Sequence, residues 1–187
     1  MSGSDALYAG FADFFVPSGR IDALREALAH RADPTSPSEI VMLFDETPEP
    51  STLAAQRPWI DEAFAADTVP EIVARLRGDV EQADRDDTPT PAATADLLES
   101  LAPTALAVTL EAVREARAMG SLRDALAGEY RRVLWFVQHH PDLVEGIRAQ
   151  LVDKDRNPRW DPQTLAGLAP DAAADARLFV PPVPLWG

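Results

Sequence analysis

Apolar residues recur along this chain at intervals of three and four positions, and prolines divide the pattern into short segments. That spacing places side chains on one face of a helix, whereas a half-buried strand would alternate at every second residue. One apolar run, Phe14-Phe15-Val16, could form a strand but is too short to build a sheet. The pattern predicts a mainly α fold with little or no sheet, with helices near 4–10, 21–30, 38–44, 58–65, 94–101, 104–119, 121–139, 162–168 and 171–178.

The clearest helix start is at Thr68. Thr68 and Glu71 have the spacing of a capping box, in which each side chain accepts a hydrogen bond from the backbone N–H of the other residue. Pro70 suits the first turn, where a missing N–H removes no helical hydrogen bond. The residues expected on the buried face of this helix are Val69, Ile72, Val73 and Leu76.

The stretch that organises the chain runs from Pro141 to Trp160 and begins as an amphipathic helix. Its apolar stripe consists of Leu143, Val144, Ile147 and Leu151. Asn157-Pro158 should end the helix, because proline disfavours helical geometry in the residue before it. We expect Trp160 to dock the loop that follows.

Length and composition limit the possible functions. The 187 residues suffice for one domain with a core, and we expect a single helical domain over 1–187, with the acidic loop at 79–90 as the only candidate linker. The net charge of −14 argues against a nucleic-acid partner and against docking to an anionic membrane. No apolar run suggests a membrane span, and we expect no signal peptide. The absence of Cys suits a reducing cytosol, so we expect a cytoplasmic location.

Few polar side chains are grouped in patterns typical of catalysis or metal binding. The Asp84–Asp87 run lacks the glycine and the terminal glutamate of a calcium-binding EF-hand loop, so we expect a solvated loop and no metal site. His139 and His140 are adjacent at a helix end and point in different directions, which favours a structural role. In the 129–132 run we expect Tyr130 in the core and the charged residues on its rim.

A cationic group follows the helix of the 141–160 stretch and consists of Lys154, Arg156 and Arg159. Such a group could hold phosphates through charge-assisted hydrogen bonds. The alternative is a surface ion-pair network that positions Trp160. Because the chain has no glycine-rich phosphate loop and no nucleophile elbow, the residues alone predict an acidic helical domain and leave its chemistry open.

The segment 145–160, EGIRAQLVDKDRNPRW, resembles a segment near the C-terminus of 3-hydroxyisobutyryl-CoA hydrolases. These form a branch of the enoyl-CoA hydratase/isomerase (crotonase) superfamily. Further resemblances follow in the family's order, in DALYAGFADFFVPS at 5–18, TVPEI at 68–72, APTAL at 102–106 and the 121–131 segment that ends in EYR. The chain is therefore similar to the C-terminal half of such a hydrolase.

The resemblance implies that the two halves of the family fold have different roles. The family cleaves a CoA thioester during valine breakdown and has a β-β-α spiral core followed by helices. Its catalytic carboxylates and oxyanion-hole glycines belong to the N-terminal half, so the resemblance implies no catalytic residue in this chain. Lys154 and Arg156 become candidates for contact with the CoA phosphates. The implied substrate is an acyl-CoA, with no separate cofactor because CoA is part of the substrate.

Three functional alternatives follow. The chain could be the C-terminal portion of a 3-hydroxyisobutyryl-CoA hydrolase-like protein that acts with its N-terminal half or through self-association. It could be a non-catalytic helical interaction module. It could also be part of another crotonase, such as an enoyl-CoA hydratase. In the first and third cases Leu143, Ile147 and Leu151 would pack on the core, so the chain alone should expose an apolar patch.

Overall fold

The computed structural model describes residues 1–30, 36–78 and 89–186, and these residues contain ten α-helices and no β-strand. The predicted mainly α fold class is confirmed. The helices are α1 (Gly3–Tyr8), α2 (Ile21–Ala29), α3 (Pro37–Met42), α4 (Thr52–Phe64), α5 (Val69–Arg77), α6 (Pro91–Ser100), α7 (Pro103–Ala118), α8 (Leu122–His139), α9 (Asp142–Ile147) and α10 (Ala172–Leu178). None of these helices combines the length and the apolar character needed to span a bilayer.

The described residues form two units, one within Met1–Asp61 and the other from Glu62 onward. The expected single domain over 1–187 stays a prediction. Of the candidate linker at 79–90, residues 79–88 lie outside the described part of the chain, and so does the Asp84–Asp87 run.

In the first unit, the carboxylate of Asp5 connects α1 with the start of α4. Ser2 and Asp5 form a capping box at the start of α1. Asp5 also accepts hydrogen bonds from the Ser51 hydroxyl at 2.7 Å and from the Leu53 N–H at 3.0 Å. The backbone N–H groups of Ser2 and Leu53, followed by the Ser51 hydroxyl, hold the pKa of Asp5 well below its ordinary value.

The short apolar run at Phe14-Phe15-Val16 is not a strand. Its backbone instead joins the loop that follows α3. The Phe15 N–H donates to the Asp45 carboxylate at 2.8 Å, and the Glu46 N–H donates to the Phe15 carbonyl at 2.9 Å. These two bonds satisfy both backbone groups of Phe15 without a partner strand.

The second unit contains α5 to α10 and most of the buried core. Helix α5 packs on α6 and α7, α7 packs on α8 and α10, and α8 packs on α9 and α10. The Thr68–Glu71 capping box is present, and the predicted face of α5 is buried. A second buried cluster joins Val108, Trp135 and Ala176, with Phe136, Ala173 and Phe179 packed against it.

The sequence pattern predicts an apolar side of α8 made of Leu122, Leu126, Tyr130, Val133, Leu134 and Val137, but the helix buries a different face. Leu122, Leu126, Val133 and Val137 are exposed. Gly128, Arg132 and Trp135 are the buried residues of α8. The expectation that the charged residues of 129–132 lie on a rim is wrong for Arg132, because its buried guanidinium donates to Glu115 of α7.

Two of the shorter predicted helices also differ. The 58–65 helix begins earlier, at Thr52, and carries Pro58 in its interior. The 162–168 segment contains only a 3-10 turn at Leu165–Gly167. The first difference concerns a helix end, where boundaries are hard to assign, whereas the second is a predicted helix that does not form.

Candidate functional site

The 141–160 stretch forms α9, a π-helical turn over Arg148–Val152 and then an irregular turn that ends at Trp160. The widened turn is marked by the bond from the Asp153 N–H to the Arg148 carbonyl at 2.8 Å. The Arg156 N–H closes the chain back onto the Ala149 carbonyl at 3.0 Å. Single π-helical turns inside helices occur frequently at functional sites.

Arg148 is the centre of this turn. Its Nε and Nη2 both donate to the Glu145 carboxylate at 2.8 Å, which is a bidentate pair. Its Nη1 donates to Asp153 at 2.6 Å and to Asp155 at 2.7 Å. Nη2 also reaches the Asn157 carbonyl at 3.2 Å. One guanidinium therefore binds three of the four acidic side chains of the 141–160 stretch.

These contacts separate the acids from the cations that alternate with them in sequence. Lys154 and Arg156 have positive φ angles, 56° and 52°, in the left-handed region. Their side chains are exposed and form no ion pair with any residue in the described ranges. We refer to Asp153–Arg159 as the cationic turn, because its acids point to Arg148 and its cations do not.

The ion pairs shift the acid–base behaviour of the turn. The hydrogen bonds from Arg148, and then from the Arg159 N–H, lower the pKa of Glu145 from 4.5 to about 2. Arg148 and the Asn157 N–H lower the pKa of Asp155 in the same way. The hydrogen bonds that Arg148 donates to Glu145, Asp155 and Asp153 in turn raise the pKa of its guanidinium.

Trp160 fixes the end of the cationic turn. Its indole N–H donates to the Ser100 carbonyl at the end of α6, at 3.0 Å. Its ring lies against Gly146 of α9. The prediction that Trp160 docks this loop is confirmed.

An apolar groove of about 550 Å³ lies beside the cationic turn. Its walls come from the start of α7, from α8 and from the stretch between α9 and Trp160. The predicted exposed patch is confirmed here, since Leu143, Ile147 and Leu151 are 38%, 46% and 69% exposed. The lining residues are Ala102, Ala105, Val133, Phe136, Asp142, Leu143, Gly146, Ile147, Gln150, Leu151 and Trp160.

The family model for enoyl-CoA hydratase/isomerase matches residues 1–177. The chain belongs to this family. It is 34% identical over 177 residues to the mitochondrial 3-hydroxyisobutyryl-CoA hydrolase of Danio rerio, covering 90% of this chain and 44% of that protein. The chain thus spans less than half the length of this curated relative.

Two solved structures of enoyl-CoA hydratase/isomerase proteins are similar to the chain. A carnitinyl-CoA dehydratase from Mycobacterium thermoresistibile has 40% identity and a TM-score of 0.79, covering 97% of this chain and 48% of that one. An enoyl-CoA hydratase from Rhodobacter sphaeroides 2.4.1 has 34% identity and a TM-score of 0.76, covering 96% and 48%. The helical arrangement described above is therefore one that crotonase-type enzymes contain.

An acid–histidine pair, Asp142 and His140, lies between the end of α8 and the start of α9. Asp142 is 4% exposed, and one of its oxygens accepts the Asp161 N–H at 2.9 Å. The other oxygen lies 3.6 Å from His140 Nδ1. Burial raises the pKa of Asp142. The first oxygen is satisfied by this N–H, whereas the second is buried and has no hydrogen-bond partner in the described part of the chain. The structural role expected for His140 stays a prediction.

Sequence reasoning named Lys154 and Arg156 as candidate CoA contacts, which stays a prediction, and it did not single out Arg148 or Asp142 as site residues. The i,i+3 spacing of Glu145 and Arg148 was a usable signal for one ion pair. The contacts of Arg148 with Asp153 and Asp155 depend on the π-helical turn, which no simple periodicity predicts. Within the described residues, no group of three or more His, Asp or Glu side chains could hold a metal ion.

Proposed function

We propose that this chain is the CoA-binding helical portion of a 3-hydroxyisobutyryl-CoA hydrolase-like enzyme, which cleaves the acyl-CoA thioester together with an N-terminal half. Lys154 and Arg156 contact the CoA phosphates. The chemistry comes from the N-terminal half, where the family resemblance puts the catalytic carboxylates and the oxyanion hole. This chain supplies binding and covers the apolar side of the site. CoA belongs to the substrate, and no separate cofactor is required.

The observation that carries the proposal is the conformation of the cationic turn. A residue other than glycine in the left-handed region costs of the order of 1–3 kcal/mol, and such strain concentrates at ligand-binding sites. Here two long cationic residues adopt it within three positions. Glycine or asparagine would fit the backbone better. A requirement for two free cations at these points explains why the strain is retained.

The apolar groove and its surroundings support the need for a second half. Val144 and Val152 extend the exposed patch beyond the groove and are 67% and 69% exposed. A contiguous apolar surface of this kind marks a binding interface. We propose that the N-terminal half covers it, since the curated relative contains more than twice the length matched here.

A second candidate function is that of another crotonase, a hydratase or a dehydratase acting on an acyl-CoA. The solved structures described above carry these names, and one of them has the higher sequence identity of 40%. Both candidates use the same CoA portion of the substrate. They differ in the acyl chemistry, which the proposed N-terminal half decides.

The decisive experiment is reconstitution. The purified chain is assayed with 3-hydroxyisobutyryl-CoA, alone and after mixing with a separately expressed N-terminal half, with thiol release and hydration of an enoyl-CoA followed in parallel. Thiol release only in the mixture supports the hydrolase. Hydration only in the mixture supports the second candidate. A folded chain that gives neither activity in either sample contradicts both and leaves the helical interaction module.

Two further features stay predictions. A cytoplasmic location follows only from the sequence, and the relative from Danio rerio is named as mitochondrial. A role in valine breakdown follows only from the resemblance. Fractionation of the source cells and growth on valine as the carbon source would test them separately.

A further inference from the structure

We propose that Arg148 is a positioning residue for CoA binding: it binds the acids of the cationic turn and thereby leaves Lys154 and Arg156 free for phosphate. This inference rests on the proposed function and deepens it. It assigns part of the CoA affinity to a side chain that does not itself touch the ligand.

The first step concerns charge. In the sequence Asp153-Lys154-Asp155-Arg156 every cation has an acid beside it. If these acids were unpaired, they would attract the neighbouring cations and repel a bound phosphate, because exposed charges that are close to one another still interact in water. Arg148 Nη1 forms ion pairs with both Asp153 and Asp155, at 2.6 and 2.7 Å. The cations then have no ionic partner in the described part of the chain.

The second step concerns geometry. The guanidinium is a planar fork with five donors, and here it contacts three carboxylates and the Asn157 carbonyl at once. The Asp155 carboxylate also accepts the Asn157 N–H at 2.9 Å, so the backbone that follows is fixed from the same centre. A lysine ammonium has three donors from one point and cannot reproduce this set.

The third step concerns position. Arg148 is half-buried beneath the turn and its side chain is 31% exposed, whereas Lys154 and Arg156 belong to the exposed class. Arg148 has no donor left over for a ligand after these contacts are made. Its effect on CoA affinity must therefore act through the turn.

The test is calorimetric titration of CoA into the native chain, Arg148→Met, Arg148→Lys and the triple variant Arg148→Met/Asp153→Asn/Asp155→Asn, at low ionic strength. We expect Arg148→Met to weaken CoA binding about tenfold, which is the scale of one lost charge-assisted contact. Arg148→Lys should be intermediate. The triple variant should recover part of the affinity, because the acids that repel phosphate are gone while the turn is still not held by Arg148. Native affinity in Arg148→Met, or no recovery in the triple variant, would overturn the inference.

Two controls separate this inference from the proposed function and from misfolding. Amide–Hα coupling constants of Lys154 and Arg156 report whether both residues keep positive φ. If the native chain binds no CoA, the proposed CoA contact is wrong. Unchanged coupling constants in Arg148→Met would overturn the positioning role, whether or not CoA binds. If Arg148→Met unfolds, Asp153→Asn/Asp155→Asn with native Arg148 decides: equal or tighter CoA binding supports the inference, and weaker binding contradicts it.

Discussion

Gly146 lies against the indole ring of Trp160: a β-carbon built on this glycine would come 3.4 Å from ring carbon Cη2. The same ring donates its N–H to Ser100 and forms one wall of the apolar groove. One side chain thus joins α6, α9 and the end of the cationic turn. The close contact at Gly146 sets how near the loop can approach the helix.

Small and large substitutions at position 146 should have different effects, because a small side chain would contact Trp160 and a large one would clash with it. Gly146→Ala adds a β-carbon at ordinary van der Waals distance and gains helix propensity, so we expect no loss of stability and a gain of up to about 1 kcal/mol. Gly146→Leu should displace Trp160 and cost about 1–3 kcal/mol. Urea unfolding of the two variants checks this, and equal stability of both would show that the ring does not pack on position 146.

The indole N–H of Trp160 should matter separately from its ring. Trp160→Phe keeps an aromatic ring but leaves the Ser100 carbonyl without this donor, and we expect a cost of about 1 kcal/mol in unfolding free energy. Trp186→Phe is the matched control, because Trp186 donates over a longer 3.3 Å to the Arg123 carbonyl. A larger loss for Trp186→Phe than for Trp160→Phe would contradict the docking role of Trp160.

Glu145 should stabilise the fold only where it is ionised. Folding lowers its pKa from 4.5 to about 2, so its contribution is fully present above about pH 4.5 and is lost as the pH falls towards 2. The stability of the native chain should therefore decline more steeply across that window than that of Glu145→Gln. Thermal unfolding of both proteins through the window measures the difference. Parallel curves would show that the pair with Arg148 does not form.

The effect of pH on stability through Asp142 has the opposite sign to the effect through Glu145. Burial raises the folded pKa of Asp142 above the ordinary 3.8, so ionisation of this group disfavours the folded state as the pH rises. Asp142→Asn keeps an oxygen for the Asp161 N–H and removes the buried charge. We expect the variant to be at least as stable as the native chain near pH 7, with its relative advantage decreasing towards about pH 4. A strongly destabilised variant near pH 7 would mean that a charged pair with His140 holds this site together.

Local rules predicted much of the helical frame of this chain. The Thr68–Glu71 capping box predicted the start of α5 and the apolar spacing predicted its buried face, because capping and periodicity act within a few residues. The exposed patch around Ile147 followed from the family resemblance. Periodicity was a poor guide to α8, because Val133 and other residues of its apolar stripe are exposed. It could not say that Arg132 would be buried instead, since that depends on Glu115 of another helix.

The candidate site was predictable only in part. Lys154 and Arg156 stood out as cations on one turn, and their role as CoA contacts stays a prediction. What the sequence did not indicate is the π-helical turn at Arg148–Val152 and the left-handed residues after it. They occur together with the contacts of three acids with one guanidinium, which form only in the folded segment and do not follow from any residue's own propensity.

The most direct test of the account is a single comparison of the native chain with Lys154→Gly/Arg156→Gly, in which CoA affinity and unfolding free energy are both measured. Glycine relieves two strained positions, while its greater freedom in the unfolded chain offsets part of that gain. We predict stability equal to or above that of the native chain, together with CoA affinity at least about tenfold weaker. Unchanged CoA affinity in a variant of unchanged or lower stability would contradict the account, because the strained cations would then serve no ligand.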